Sequence, residues 1–164
     1  MGEAVLRAFA PQDAAAIDAL GVQSFEQYQH FYSDWPALKA RLATMSSLAE
    51  HGEIIVAEQD GRVVGWVAYI GPGQPKSSFY LPEWAVMRML VVAPCAQGQG
   101  IGRRLADECI RRARRDGAGT FALHTSEMMK VALPMYRRMG FALHAEAPTT
   151  YGVKYGVFTK SLGA

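Results

Sequence analysis

Gly98, Gly100 and Gly102 stand at alternate positions just after an apolar run, Met87 to Val92, and just before a helix-like stretch rich in arginine. Residues without a Cβ let the backbone approach a ligand closely and adopt conformations barred to other residues, so several N–H groups can turn toward one anion. A helix starting there adds its free N-terminal donors and the positive end of its dipole. Arg103 and Arg104 add charge in the first turn. The chemistry this arrangement suits is the holding of a pyrophosphate.

The spacing discriminates among phosphate loops. A P-loop needs a lysine and a hydroxyl residue directly after its glycines, and neither is present. A dinucleotide fingerprint needs G-x-G-x-x-G and an acidic residue at the end of the next strand; here the spacing is G-x-G-x-G, and the next β-like run, Thr120 to Thr125, has no carboxylate. The pattern that remains is Q-x-x-G-x-G, formed by Gln97, Gly100 and Gly102 after Ala93 and Pro94. Beyond the helix, Tyr136 lies on a short helix-like segment that ends in Gly140 and Phe141. The loop and the tyrosine followed by Gly-Phe, in this order and at this spacing, resemble the two signatures of the GNAT family of N-acetyltransferases. The resemblance covers residues 84–142 most specifically and the rest in pattern.

That resemblance implies a fold, a co-substrate and a set of roles. The fold implied is α/β (α+β), a strongly twisted mixed sheet of six to seven strands with helices on both faces. In the family the strand matching the one around Leu90 and the strand matching the one around Leu123 start paired and then splay, and the pantetheine arm of acetyl-coenzyme A lies in the opening. Leu90, Val91 and Val92, the loop residues Gln97, Gly98, Gln99, Gly100, Ile101 and Gly102, and Arg103 are therefore the expected coenzyme contacts. A bulge near Leu90 and Val91 would aim an N–H at the thioester oxygen. Tyr136 is the expected proton donor to the departing thiolate, with packing against Phe141 as its plain structural role. No metal is implied.

The general base is open. Many family members carry a glutamate on the central strand, yet no carboxylate lies between Ala85 and Val92. Glu83, acting through water, His124, Glu127 and a solvent path are the candidates. Cys95 as an acetylated nucleophile has no histidine close in sequence to activate it, and Cys109 falls on an apolar helix face. The resemblance implies a small amine or a peptide or protein amine as acceptor. The alternative is a non-catalytic acyl-coenzyme A sensor on the same fold.

The elements that must position these residues are legible from patterning. At 164 residues, half of them hydrophobic and a fifth charged, the chain suits a single domain over 1–164 with a continuous core. Seventeen Lys and Arg against fifteen Asp and Glu give only +2, which argues against a nucleic-acid binder. No apolar run is long enough for a membrane span and no leader-like N-terminus is evident, so the expected location is cytoplasmic without a membrane partner. Small family members often form homodimers. A short strand near Val5, interrupted helices to about Ala49, and a hairpin turning at Asp60 and Gly61 precede the central strand. Phe25, Tyr28, Phe31, Tyr32 and Trp35, with Phe79, Tyr80 and Trp84, are candidates to line an acceptor pocket as a group. After the loop, Leu105, Ala106, Cys109, Ile110 and Ala113 recur at helical spacing, leaving the arginines as a solvated face. Pro134 predicts a kink or a fresh helix start. The final strands, over Phe141 to Ala145 and Tyr151 to Phe158, are expected to turn around Pro148 to Thr150.

Overall fold

The computed structural model describes residues 2–163. Its seven strands form one mixed sheet, β1 (Val5–Ala8), β2 (Glu53–Gln59), β3 (Arg62–Ile70), β4 (Ala85–Val92), β5 (Thr120–Thr125), β6 (Ala142–Thr150) and β7 (Val153–Ser161). Their order is β1-β2-β3-β4-β5-β7-β6, and only β4 and β5 run parallel. Helices α1 (Ala14–Glu26) and α2 (Trp35–Leu42) cover one face; α3 (Ile101–Arg115) and α4 (Ala132–Arg138) cover the other. Among the described residues no helix is long and apolar enough to cross a membrane.

Alternation along β4 decides which residue meets which layer. Ala85 and Met87 enter the core beneath α3, while Val86 lies with Ile70, Trp84 and Ala122 under the loop of residues 71–84. On α3, Leu105, Ala106, Cys109 and Ala113 are buried. Its arginines pair outward: Arg111 and Arg112 with Glu108, and Arg112 and Arg115 with Glu53. Flanked by Arg111 and Arg112, the Glu108 carboxyl is held down at about 2. The helix stops where Gly117, at φ +74°, lets the Ala118 N–H reach the Ala113 carbonyl.

The hairpin between β2 and β3 turns at Asp60 and Gly61, both at positive φ, as its Asp-Gly pair predicts. The last hairpin turns later than expected. Pro148 to Thr150 belong to β6, across a register irregularity between Ala147 and Thr150, and the turn falls at Tyr151 and Gly152, with φ of +41° and +82°. Gly152 supplies the left-handed conformation that the Pro-Thr-Thr segment lacks. Pro134 marks a fresh start: it is in the first turn of α4, where its missing N–H has no intrahelical partner to lose.

Candidate active site

The parallel pair β4 and β5 is joined at only two positions, Ala85 with Phe121 and Val86 with Ala122, although both strands continue. Beyond Val86 they diverge. A cavity of about 780 Å³ occupies the opening, bounded by Met87 to Val92 on one side and by Leu123, His124 and Thr125 on the other. A bulge enters β4 at this point: Trp66 faces Val91 and Ala68 faces Arg88, so Met89 and Leu90 together oppose Val67 alone. Met89 takes the strain, at φ +60°. The bulge therefore begins one residue before the expected position at Leu90 and Val91.

At one end the cavity reaches the glycine loop. Gln97, Gly98, Gly100, Ile101, Gly102 and Arg103 line it. Gly98 and Gly100 have φ of +82° and +79°, and a Cβ on either would meet no atom within 4 Å, so the loop presents bare backbone to open space. Gly102 has an ordinary helical conformation; its Cβ would only touch Val92 and Leu90 at 3.6 and 3.9 Å, so its contribution is a low wall and not an unusual φ. No side chain caps α3 at Gly100, leaving its first N–H groups free beside the loop. Two residues point elsewhere. The Gln99 carboxamide oxygen accepts a bond from Gln59 Nε2 at 2.8 Å, and Gln99 is not in the lining. Arg104 donates to the Ala4 carbonyl at 2.8 Å, away from the loop that Arg103 borders.

Tyr136 is brought to the same cavity, buried to 5% exposure. The chain holds it by local geometry. Gly140 at φ +96° ends α4, the Phe141 N–H returns to the Tyr136 carbonyl at 3.0 Å, and the two rings meet edge to face with centroids 5.9 Å apart. Packing and cavity lining are thus both served by one ring. Burial pushes the hydroxyl above the ordinary tyrosine range, so it keeps its proton at neutral pH. Cys109, buried below it, is likewise raised by burial and is a protonated core residue. Cys95 is exposed and outside the lining.

The other end of the cavity is made of side chains from five elements and one connection: Phe25 of α1, Tyr28 between α1 and α2, Arg41 of α2, Arg88 of β4, His124 of β5 and Tyr155 of β7. Arg88 and His124 lie two residues past the Val86–Ala122 pair and project to the same face as those residues. His124 Nδ1 is 3.2 Å from the Tyr80 hydroxyl, and its ring packs at a tilt against Phe79 and Tyr155. Burial, reinforced by Arg88 and Arg41, pushes the imidazole down to about 4, so it is uncharged at neutral pH. The Tyr32 and Tyr155 hydroxyls bond to each other behind this wall. Of the other aromatic candidates, Phe31 is exposed and Trp84 packs against His144.

Glu83 and Glu127 are exposed and neither borders the cavity. No Asp or Glu is among the described lining residues. Sequence reasoning passed over Arg88. The signal was available, because an arginine inside the apolar run of a central strand is rarely there without a charged partner.

The family model for the acetyltransferase (GNAT) family matches residues 16–141. The S-alkylcysteine N-acetyltransferase of Bacillus subtilis (strain 168) is 27% identical over 89% of this chain and 83% of its own length. The L-methionine sulfoximine/L-methionine sulfone acetyltransferase of Salmonella typhimurium is 28% identical over 63% of this chain and 57% of its own. Among solved structures, yncA from Salmonella typhimurium, determined with its cofactor acetyl-CoA, superposes with a TM-score of 0.73 at 20% identity, covering 99% of this chain and 96% of that one.

Proposed function

The chain belongs to the GNAT family of N-acetyltransferases, and we propose that it moves an acetyl group from acetyl-coenzyme A to a primary amine by direct attack while both substrates are bound. The observation that carries this reading is the opening between β4 and β5, continuous with bare glycine backbone at one end and bordered by Tyr136.

Acetyl-coenzyme A supplies a thioester whose acyl carbon is already activated. The loop at Gln97 to Gly102 and the first turn of α3 would hold its pyrophosphate, with Arg103 beside them; the exposed edge of Leu90, Val91 and Val92 would bind the pantetheine amides as an added strand would. The bulge at Met89 and Leu90 leaves backbone donors outside the ladder, suited to the charge that grows on the thioester oxygen. The amine nitrogen bonds to the acyl carbon, the carbon–sulfur bond breaks, and its electron pair leaves on sulfur. Tyr136 then gives the sulfur a proton. With no carboxylate in the lining and His124 held down to about 4, too weak a base to keep a proton at neutral pH, the proton lost by the amine passes to solvent and not to Glu83, Glu127 or His124. A cavity of about 780 Å³ and relatives named for amino-acid derivatives favour a small-molecule acceptor over a protein one.

The test joins binding to turnover. Acetyl-coenzyme A at about a hundred times its dissociation constant should stabilise the fold by about 2.7 kcal/mol, seen as a raised melting temperature, with no rise from NAD or ATP. Equal shifts from all three would mean a generic phosphate site. Binding without release of free coenzyme A thiol across a broad amine panel would favour the sensor.

A further inference from the structure

The described lining of the cavity contains four arginines, Arg41, Arg88, Arg103 and Arg138, and no carboxylate. Arg103 is in the first turn of α3 beside the glycine loop, and Arg138 follows Tyr136 on α4. Arg88 and Arg41 stand at the other end, beside His124 and the tyrosines, where the coenzyme's phosphates have no reason to reach. Several arginines of this chain have carboxylate partners: Arg7, Arg111, Arg112 and Arg115 each meet one within 3.2 Å, and Arg103 in the lining pairs with Asp107 at 3.2 Å. Arg88 and Arg41 form no ion pair among the described residues; Arg41's charge acts on Arg88, and the Arg41 guanidinium carbon lies 5.9 Å from the centroid of the Tyr151 ring. Arg88 is half-buried in the wall and burial lowers its affinity for its proton, whereas Arg41 sits at the exposed rim. A half-buried cation facing a second cation is unfavourable until an anion lies between them.

Position says what the anion belongs to. Arg88 directly precedes the bulge at Met89 and Leu90, so its backbone lies one or two residues along the strand, roughly 3–7 Å, from the donors beside which the acyl carbon would be attacked, and its side chain lines the same cavity. A carboxylate attached to the same carbon as the nucleophilic amine spans such a distance. Besides His124 and the tyrosines, the lining carries apolar side chains from α1 and α2 and just beyond α2, Phe25, Leu38, Leu42 and Met45. We propose that Arg88, assisted by Arg41 at the rim, binds the carboxylate of the acceptor, and that the acceptor is an α-amino acid with an apolar side chain. This rests on the N-acetyltransferase reading above.

The experiment compares three amino acids, L-methionine, L-leucine and L-phenylalanine, with the amines that lack only the carboxylate: 3-(methylthio)propylamine, isopentylamine and phenethylamine. In the wild-type protein kcat/KM for at least one amino acid should exceed that of its amine by about 10²-fold, because a charge without its partner is left in the wall when the carboxylate is missing. Arg88→Gln should remove that preference, raising KM for the amino acid while leaving the amine within about threefold and the acetyl-coenzyme A melting shift unchanged. Arg88→Lys should restore part of the preference, since it keeps the charge without the fork of donors. Arg88→Met should also raise the melting temperature of the free protein, a readout independent of turnover. Amines acetylated as well as their amino acids in all three pairs would overturn the proposal, as would an Arg88→Gln variant that loses both activities equally. Acetylation of none of the six compounds, with the acetyl-coenzyme A shift intact, would overturn the acceptor and leave the coenzyme site standing. Loss of that shift in the wild type would overturn the enzymatic reading itself.

Discussion

The two ends of the opening between β4 and β5 are built of different material. The coenzyme end is backbone: Gly98 and Gly100 at positive φ, the first N–H groups of α3, and the free edge of β4 after its bulge. Side chains make the acceptor end, with Arg88, Arg41, His124, Phe25, Tyr28 and Tyr155 brought from far apart in sequence. Backbone donors suit a ligand portion that never changes, because they cannot be altered by substituting side chains other than the glycines that expose them. A side-chain wall suits the part that distinguishes one substrate from another.

The largest expected effect falls on the backbone end. Gly100→Val puts a β-branched residue at φ +79°, where the new side chain meets nothing in the free protein, so the folding cost is limited to the left-handed backbone, about 1–2 kcal/mol. If the loop shifts out of that conformation, two charge-assisted hydrogen bonds to pyrophosphate at about 2 kcal/mol each are lost, which weakens acetyl-coenzyme A binding by about 10³-fold. Calorimetric titration beside a melting curve separates the two. A folded variant with unchanged affinity would remove the loop from the site.

Tyr136→Phe tests the junction of the two ends. The ring packing on Phe141 is kept and only the hydroxyl goes, so coenzyme affinity should hold. Proton donation is typically worth about 10²–10⁴-fold, and a thiolate is already a tolerable leaving group, which places the expected fall near 10² in kcat and kcat/KM together. Wild-type turnover would return Tyr136 to packing alone.

At the acceptor end pH reads the charge balance directly. The unfolded chain protonates a histidine near 6.5, whereas His124 in the fold resists until about 4. Between these values the unfolded state binds more protons, so stability rises with pH through the window and is lost as pH falls. From pH 7 to pH 5 the wild type should lose about 2 kcal/mol through this one group. His124→Gln should lose less by about that amount in denaturant titrations at the two pH values, the acid response of carboxylates such as Glu108 being common to both. An identical loss would mean that His124 is not held neutral by its surroundings.

The smallest effect is expected at Glu83, which is exposed and borders neither end. Glu83→Gln should change kcat by less than about twofold, within what exposed positions usually show. A large drop with a shifted pH–rate profile would instead establish it as a base acting through water.

Local rules carried much of the architecture. The Asp60–Gly61 turn, the amphipathic α3 and its stop at Gly117 follow from residues within a few positions of one another. One boundary and one side-chain placement did not follow. The final turn lies at Tyr151 and Gly152 because Gly152 adopts a left-handed conformation, although Pro148 to Thr150 has the more turn-like composition. Gln99, placed among the coenzyme residues by its position in the motif, is drawn off by Gln59, which is distant in sequence and buried beside it.

By itself the amino-acid sequence determined the glycine loop, the tyrosine with its Gly140–Phe141 support, and the order of strands and helices that makes the family recognisable. Each of these is a contiguous run whose chemistry is set by neighbours along the chain. Only the tertiary structure decided that β4 and β5 part after Val86, that Glu83 is left outside, and that Arg88 faces Arg41 with no carboxylate between them. The reason is physical: a backbone cradle is specified by local φ and ψ, whereas the charge balance of a wall depends on which side chains from α1, α2, β4, β5 and β7 meet in space.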